Sequence, residues 1–276
     1  MTTPRSDQAL REAVAEALST LTGPRGIAAT DSRRSTRQHY EDDPRRALVR
    51  KRIITDYLDH THPTCDWRTA VITAGVPGAG KSTAVDGVLG AEAPSFRHLD
   101  PDRIKDDLLD DALASGLFDD LLSIDLPDGR PVAPRELATL VHEESTMVCD
   151  QVRRACLVRG ERIIIDGTLT WPPQGPRLAA ELRDAGYREL RIIAVEVPEA
   201  VAQHRAAERW WSVRSANSDR LGGRFTPPAI ISSAYQPDGQ SLCLTNAFNL
   251  AAVLEGIAGM HVTLEVIDAI GTITRR

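Results

Sequence analysis

Short apolar segments alternate with longer amphipathic ones along most of the chain. Near-continuous apolar runs predict strands over residues 69–75, 162–166 and 190–197, and residues 96–100 read as a further short strand. Helical spacing of apolar residues predicts helices over residues 81–89, 134–159, 176–185 and 198–216. Strands without a polar face are typical of parallel sheets that are covered by helices on both sides. The pattern therefore predicts an α/β fold with a parallel sheet flanked by helices.

The segment before the first strand has a different character. Residues 7–21 read as an amphipathic helix, and residues 22–43 are polar and irregular. Asp43-Pro44 is a good start for a helix that ends near Asp59, with Asp as the N-cap and Pro at the first helical position.

These features predict a domain division and the form of the C-terminal tail. We expect a helical N-terminal extension over residues 1–67 and the main domain over residues 68–276. The tail from His261 predicts a hairpin or an edge strand that turns near Gly271.

A glycine-rich motif follows the first predicted strand and opens the first helix of the main domain. It fits the pattern G-x-x-x-x-G-K-[ST], in which backbone N–H groups, a lysine and a hydroxyl hold the phosphates and the Mg²⁺ of a nucleoside triphosphate. The GTP-specific signature N-K-x-D is absent, which favours ATP. The predicted nucleotide-binding residues are Gly75, Val76, Pro77, Gly78, Ala79, Gly80, Lys81, Ser82 and Thr83.

A second carboxylate stands where a metal ligand is expected. Asp166 ends the apolar run at residues 162–166. It is positioned to bind Mg²⁺ together with the Ser82 hydroxyl. A strand-end Asp that caps a turn is an equally good interpretation, so both remain open.

The stretch HLDPDRIKDD follows the second predicted strand. Asp100 can cap a helix whose first residue is Pro101, which puts Asp102 in the first turn, at the carboxyl edge of the sheet. A kinase that acts on a hydroxyl needs a carboxylate to orient the acceptor and take its proton. Asp102 is therefore a candidate general base, and the alternative is that both acids only cap and charge the helix start.

Arginines are concentrated between residues 205 and 224. Guanidinium groups suit the charge that develops on a moving phosphoryl group, and a glycine-rich segment beside them suits a lid. The alternative is a solvated arginine face. The adjacent Trp210 and Trp211 argue against full exposure of this segment.

The motifs together resemble the zeta-toxin family, P-loop kinases that phosphorylate UDP-N-acetylglucosamine. The resemblance covers roughly residues 68–232. It is carried by GVPGAGKST, LDPDRIK, VHEESTMVCDQVRRACLVRGERIIIDGT, AERW and GRFTPP, in that order. The first motif is widely shared, whereas the ordered set is more specific.

The resemblance implies a role for several residues. The nucleotide lysine would be Lys81, the general base Asp102, and the two phosphate-binding arginines Arg209 and Arg224. The acceptor would be contacted by Thr168 after the strand-end glycine, by Asp150 on a helix, and by Asp100. This chain departs from the family in its longer N-terminal extension and in the segment LTWPPQG at residues 169–175. The family's acceptor hydroxyl is the sugar 3′-hydroxyl, and its kinases are toxins with a neutralising antitoxin as a possible partner.

The amino-acid composition disfavours several other classes of protein function. The chain has 276 residues, a net charge of −6 and a pI of about 5.7, which disfavours a general nucleic-acid binder. Its four cysteines lack metal-site spacing, so we expect buried free thiols at Cys149 and Cys156. Without a signal-peptide core or a long apolar run, the expected location is cytoplasmic, with no membrane association.

Two other functions remain open. The chain is also compatible with another small-molecule or polynucleotide kinase, because D-x-x-[KR] from Asp102 to Lys105 suits both. The chain could also be a P-loop domain that switches a partner by binding ATP. Such a domain needs no acceptor site, so Asp102 and the arginines of residues 205–224 would then have no role.

Overall fold

The computed structural model describes residues 4–65 and 68–276. The predicted domain boundary at residue 67 lies outside the described residues and stays a prediction. Two compact units are present. The helical unit comprises Met1–Ile53, Asp102–Val148 and Ala206–Pro228, and the sheet unit comprises Ile54–Pro101, Cys149–Arg205 and Ala229–Arg276.

Helices and strands alternate through the main part of the chain. The strands are β1 (Thr69–Ala74), β2 (Arg97–Leu99), β3 (Ile163–Ile165), β4 (Glu189–Val195), β5 (His261–Ile267) and β6 (Ile273–Arg275). The α-helices are α1 (Pro4–Thr22), α2 (Thr36–His39), α3 (Arg46–Asp59), α4 (Lys81–Leu89), α5 (Pro101–Ala114), α6 (Asp119–Leu122), α7 (His142–Arg159), α8 (Gln174–Asp184), α9 (Glu199–Ala216), α10 (Pro228–Ser232) and α11 (Leu242–Glu255). Two 3₁₀ helices span Gly90–Ser95 and Pro134–Val141.

All six strands belong to one sheet in the sheet unit. Their order is β2-β3-β1-β4-β5-β6, with β1 to β5 parallel and β6 antiparallel to β5. Every residue of β1 and β3 is buried, as expected for strands covered on both faces. The carboxyl end of β1 lies between those of β3 and β4, which is where open α/β sheets bind ligands.

The predicted α/β fold with helices around a parallel sheet is confirmed. The tail forms the predicted hairpin, and Gly271 takes the left-handed φ of +85° that its turn requires. The helix α11, which packs on α8 and β5, was not predicted. Cys149, Cys156 and Cys243 are buried free thiols, and burial raises the pKa of Cys149 to about 12. Within the described residues, no helix has the length and apolar character needed to cross a membrane.

Two predicted helix boundaries are wrong. The helix after Asp43-Pro44 begins at Arg46, because Asp43 accepts hydrogen bonds from the N–H groups of both Arg45 and Arg46 and forms a separate turn. The predicted helix over residues 134–159 is a 3₁₀ helix up to Val141, followed by α7. Its buried Glu136 accepts hydrogen bonds from the Ala133 N–H and from Trp210 Nε1, which fixes the start of this 3₁₀ helix.

A buried ionic network stabilises the helical unit. Arg46 donates two hydrogen bonds of 2.8 Å to Glu144 and a further one to Asp111, and Arg50 donates one of 2.7 Å to Glu144. The side chains of Arg46 and Glu144 are 2% and 0% exposed. Burial alone would raise the pKa of Glu144, but its hydrogen bonds with Arg46 keep that pKa below the ordinary value. The network joins α3 to α5 and α7.

Glu144→Gln should destabilise the protein strongly, because it leaves the buried Arg46 without its charged partner. Removing one partner of a buried ion pair costs about 3–5 kcal/mol of unfolding free energy. Urea unfolding at neutral pH measures this loss. Glu143→Gln, an exposed change on the same helix, is the control and should leave the midpoint in place.

The same pair predicts a pH dependence. Because the pKa of Glu144 is lower in the folded than in the unfolded protein, its contribution is present above the ordinary value of 4.5 and is lost as pH falls through the folded pKa. Glu144→Gln should therefore lose less stability on acidification than the wild type. Equal urea midpoints for Glu144→Gln and Glu143→Gln at neutral pH would contradict the role assigned to Glu144.

Candidate active site

The glycine-rich loop begins directly after the central strand β1. The Gly75 N–H donates a hydrogen bond of 3.1 Å to Thr168 O. A Cβ on Gly75 would lie 2.9 Å from Val195 O, so only glycine fits between β1 and β4 here. Gly80 has φ +101° and precedes α4, whose first N–H groups have no side-chain cap. This arrangement presents backbone donors and a helix N-terminus to an anion.

Lys81 lies over the loop that precedes it. Its Nζ donates to Gly75 O at 2.9 Å and to Val76 O at 3.4 Å. Ser82 and Thr83 follow in the first turn of α4, and both are exposed. The predicted nucleotide-binding residues 75–83 thus form one continuous loop and helix start, with an ammonium group and a hydroxyl beside the backbone donors.

Arg205 is a further cation at this loop, and it was not among the predicted site residues. Its guanidinium donates to Ala79 O and to Ala269 O, each at 3.2 Å. A Cβ on Gly80 would lie 3.7 Å from Arg205 Nη1. The sequence offered one signal for it, because Arg205 lies one helical turn before the predicted Arg209.

Asp166 follows β3 and is held by two partners. Its Oδ1 accepts a hydrogen bond of 2.6 Å from Thr73 Oγ1, and its Oδ2 lies 3.5 Å from His98 Nε2. Burial would raise the pKa of Asp166, but His98, Lys81 and Thr73 outweigh it and lower that pKa. Asp166 is therefore an ionised carboxylate close to the charge of Lys81.

The residues present suit Mg²⁺ rather than a tightly bound transition metal. The described ranges contain no group of three or more His, Cys, Asp or Glu side chains that would hold a metal ion by themselves. Mg²⁺ is usually bound by one or two protein groups, with phosphates and waters completing its shell. An ionised Asp166 and the exposed Ser82 hydroxyl fit that chemistry, and their metal role remains a prediction.

The turn after β3 contains a strained residue. Leu169 is buried and has φ +58°, a left-handed conformation that costs a bulky residue about 1–2 kcal/mol. Asn246 of α11 is buried, and its Nδ2 donates to Leu169 O at 2.8 Å and to Thr170 O at 3.2 Å. The Thr168 and Thr170 hydroxyl groups share a hydrogen bond of 3.0 Å. Asn246 thus fixes the turn that carries the predicted substrate residue Thr168.

Two other predicted substrate residues also lie in the sheet unit. The Asp100 N–H donates to the Tyr57 hydroxyl at 2.8 Å, and that hydroxyl donates to His98 O, so the end of β2 is fixed. Asp150 forms ion pairs with Arg153 and Arg177. A substrate role for Asp150 has to operate within this charge network and stays a prediction.

Asp102 lies in the helical unit within a cluster of charged side chains. Its carboxylate is 3.0 Å from Lys105 Nζ and 3.2 Å from Arg224 Nε. Arg224 also donates to Asp106 at 2.8 Å. Burial would raise the pKa of Asp102, but the charges of Lys105, Arg224 and Arg209 together lower it. The predicted general base is therefore ionised and is in contact with one of the predicted phosphate-binding arginines.

Some arginines of residues 205–224 fit the phosphate-binding interpretation, and others form ion pairs with the protein's own carboxylates. Arg209 is exposed. Arg224 Nη1 is a buried donor that has no hydrogen-bond partner in the part of the chain that the structure describes, so it has capacity for an anionic oxygen. Arg214 is buried in ion pairs with Asp128 and Glu136, and Arg220 pairs with Asp110 at the surface. Trp210 and Trp211 are buried, as expected. Arg209 and Arg224 thus remain the candidates for phosphate binding.

Solved structures with the same fold include a chain from a toxin–antitoxin system. A chain from the PezAT chromosomal toxin–antitoxin system of Streptococcus pneumoniae is 12% identical, with a TM-score of 0.57 over 82% of this chain and 79% of that chain. AvrRxo1-ORF1:AvrRxo1-ORF2 with sulphate ions is 13% identical, with a TM-score of 0.55, and its ATP complex is 12% identical, with a TM-score of 0.54. Both alignments cover 84% of this chain and 66% of the other. No curated protein matches the chain.

The chain therefore has a P-loop kinase-like fold, and the likeness to zeta-toxin-type kinases is confirmed at the level of the fold. A family profile described as an AAA domain, AAA_33, matches residues 71–228. The chain belongs to this family.

Asn246→Ala should destabilise the protein by about 1–3 kcal/mol, because two buried carbonyl oxygens lose their donor while Leu169 keeps its unfavourable φ. Asn246→Asp should do at least as much, since a carboxylate has the same shape but cannot donate. Urea unfolding measures both. The control is Asn249→Ala, an exposed change on the same helix. If Asn246→Ala and Asn249→Ala unfold at the same urea concentration, Asn246 does not fix the turn.

Proposed function

We propose that the chain is an ATP-dependent phosphotransferase that phosphorylates a hydroxyl of a sugar nucleotide, the 3′-hydroxyl of UDP-N-acetylglucosamine, as a toxin-type kinase. The observation that carries the proposal is the ionised Asp102 in contact with Arg224, whose buried Nη1 has no hydrogen-bond partner within residues 4–65 and 68–276. A P-loop domain that only binds ATP needs neither group. A phosphotransferase needs both a proton acceptor and a guanidinium.

The nucleotide role rests on residues 75–83. The left-handed glycines bring backbone N–H groups together, and Lys81 adds a positive charge that can reach the β- and γ-phosphates. ATP is the better candidate than GTP because the guanine signature is absent. One solved structure with the same fold is described as an ATP complex. Bound ATP would supply the phosphoryl group.

Mg²⁺ is the second requirement of the proposal. Ser82 would bind it directly and Asp166 directly or through water, which agrees with the ionised state of Asp166. Mg²⁺ would neutralise part of the charge on the phosphates. The His98–Asp166 contact holds the carboxylate at the end of β3.

Asp102, Arg224 and Arg209 would perform the chemistry on the acceptor. Asp102 accepts a hydrogen bond from the acceptor hydroxyl and takes its proton as the new P–O bond forms, while the bond from the γ-phosphorus to the bridging β–γ oxygen breaks and ADP leaves. Arg224 and Arg209 donate to the oxygens of the transferring group, where negative charge is spread in the transition state. Thr168, Asp100 and Asp150 would contact the sugar nucleotide.

A toxin role and a protein partner are part of the proposal. Structures with this fold come from a toxin–antitoxin system and from a complex of two open-reading-frame products. We propose a neutralising antitoxin as the partner and the cytoplasm as the location, where ATP and sugar nucleotides are present. The acidic net charge agrees with a small-molecule acceptor rather than nucleic acid.

The acceptor is tested by incubating the protein with Mg-ATP and a panel of UDP-sugars, small-molecule alcohols and oligonucleotides. We expect UDP-N-acetylglucosamine to gain the mass of one phosphate. Lys81→Ala is the control and should give no product while its circular dichroism stays native, since it lacks the charge directed at the phosphates. If another acceptor alone gains phosphate, UDP-N-acetylglucosamine is excluded as the substrate and the kinase activity is retained. ATP binding without any product would favour a non-catalytic P-loop domain that switches a partner.

Asp102→Asn should lower the turnover rate about 10²- to 10⁴-fold and leave ATP affinity unchanged, because it removes the proton acceptor and keeps the shape. Asp110→Asn is a matched control on the same helix, since Asp110 is 40% and Asp102 43% exposed and both pair with an arginine. Its rate should stay close to that of the wild type. A parallel loss of ATP binding in Asp102→Asn would exclude the base role.

A further inference from the structure

One exposed aromatic side chain lies on the strained turn next to the predicted substrate residue Thr168. Trp171 is 57% exposed, whereas Trp210 and Trp211 are 1% and 7% exposed. It lies in LTWPPQG, the segment that departs from the zeta-toxin pattern. We propose that Trp171 packs its indole face against the sugar ring of the acceptor and so determines which sugar nucleotide is bound. This inference rests on the proposed sugar-nucleotide kinase activity.

The backbone around Trp171 is fixed before any ligand binds. Asn246 holds Leu169 O and Thr170 O, the two carbonyl oxygens that precede Trp171. The Trp171 carbonyl accepts the Gln174 N–H at 3.0 Å at the start of α8, and Pro172 and Pro173 restrict the chain between them. A single exposed apolar residue is ordinary on a protein surface. A large aromatic side chain on a backbone fixed from both sides is preorganised for a ligand.

The polar groups of the same turn suit a sugar rather than an apolar partner. The Thr168 and Thr170 hydroxyl groups share one hydrogen bond, so one of them keeps its O–H for a ligand and both can still accept. The Gln174 amide lies near Gly167, since a Cβ on Gly167 would be 3.7 Å from Gln174 Nε2. A turn that carries an exposed aromatic side chain together with hydroxyl and amide groups matches the apolar face and the hydroxyl edge of a pyranose ring.

The position of the turn connects it to the phosphate-binding loop. Thr168 O accepts the Gly75 N–H, so the residue that begins the turn is bonded to the first glycine of that loop. A ligand on the turn is therefore held close to the carboxyl end of β1. The uracil base is the other group of the acceptor that could stack on an indole, and the experiment distinguishes it from the sugar.

Tryptophan fluorescence with acrylamide as the quencher tests the contact without turnover. UDP-N-acetylglucosamine should protect the wild type from quenching, and UDP alone should not. Trp171→Phe supplies the background of the other three tryptophans and should show no protection. Equal protection by UDP alone would overturn the sugar contact in favour of the base, and no protection by any acceptor that binds would overturn the proposal.

Calorimetry gives the size of the effect. Trp171→Ala should weaken acceptor binding about tenfold, Trp171→Phe should lose less, and ATP binding should be unchanged in both. Ile230→Ala is the control, because Ile230 is 55% exposed in the same unit and should leave acceptor binding unaffected. Unchanged acceptor affinity in Trp171→Ala, or an equal loss of ATP affinity, would overturn the proposal.

The two proposals fail in different ways. If the acceptor panel identifies another compound, the same titrations are made with that compound, and a tenfold loss in Trp171→Ala keeps the Trp171 contact only if the compound carries a sugar ring. Normal phosphorylation and binding of UDP-N-acetylglucosamine by Trp171→Ala would reject the contact and leave the proposed function in place. A wild-type protein that binds no member of the panel would reject both.

Discussion

The hydrogen bond from the Gly75 N–H to Thr168 O joins the two segments on which the candidate site of the sheet unit depends. It forms where β1 and β3 end side by side, so it continues the pairing of these strands beyond the sheet. Only glycine fits at this position, because a side chain on residue 75 would clash with Val195 O of β4 on the opposite side. The central strand thus sets the spacing between the phosphate-binding loop and the turn of Thr168, while Asn246 supports that turn from α11.

Both units combine buried apolar side chains with buried ion pairs. Apolar side chains of β1 and β3 are buried on both faces of the sheet, and Leu18, Leu108 and Leu137 are buried in the helical unit. Buried ion pairs join Arg46 to Glu144 and Arg214 to Glu136 in the helical unit, and Arg97 to Glu161 in the sheet unit. Buried ion pairs add little net stability but are costly to break, so they favour one arrangement of the helices over others.

Local patterns predicted the strands and the phosphate-binding loop because both depend on short-range chemistry. The isoleucines of β3 indicate a buried strand, and the glycines before Lys81 indicate a phosphate-binding loop. Contacts between distant residues were beyond such reasoning. The Arg205 bonds to Ala79 and Ala269 could not be predicted, although Arg205 lies one helical turn before Arg209, and the Asn246 support of Leu169 leaves no local signal. The 3₁₀ form of Pro134–Val141 before α7 was also missed. The roles of Asp102, Arg209 and Arg224 remain predictions.

The lowered pKa of Asp102 bears on how such a group would act as a base. A strongly ion-paired carboxylate is a weak proton acceptor, which would be a disadvantage if the acceptor had to lose its proton before attack. Phosphoryl transfer has a loose transition state in which the attacking oxygen carries little positive charge until late. Orientation of the hydroxyl would then matter more than basicity, and a carboxylate fixed by Lys105 and Arg224 would be suited to that role. The proton would pass to Asp102 as the new bond to phosphorus is completed, when the acidity of the oxygen has risen enough for a weak base to accept it.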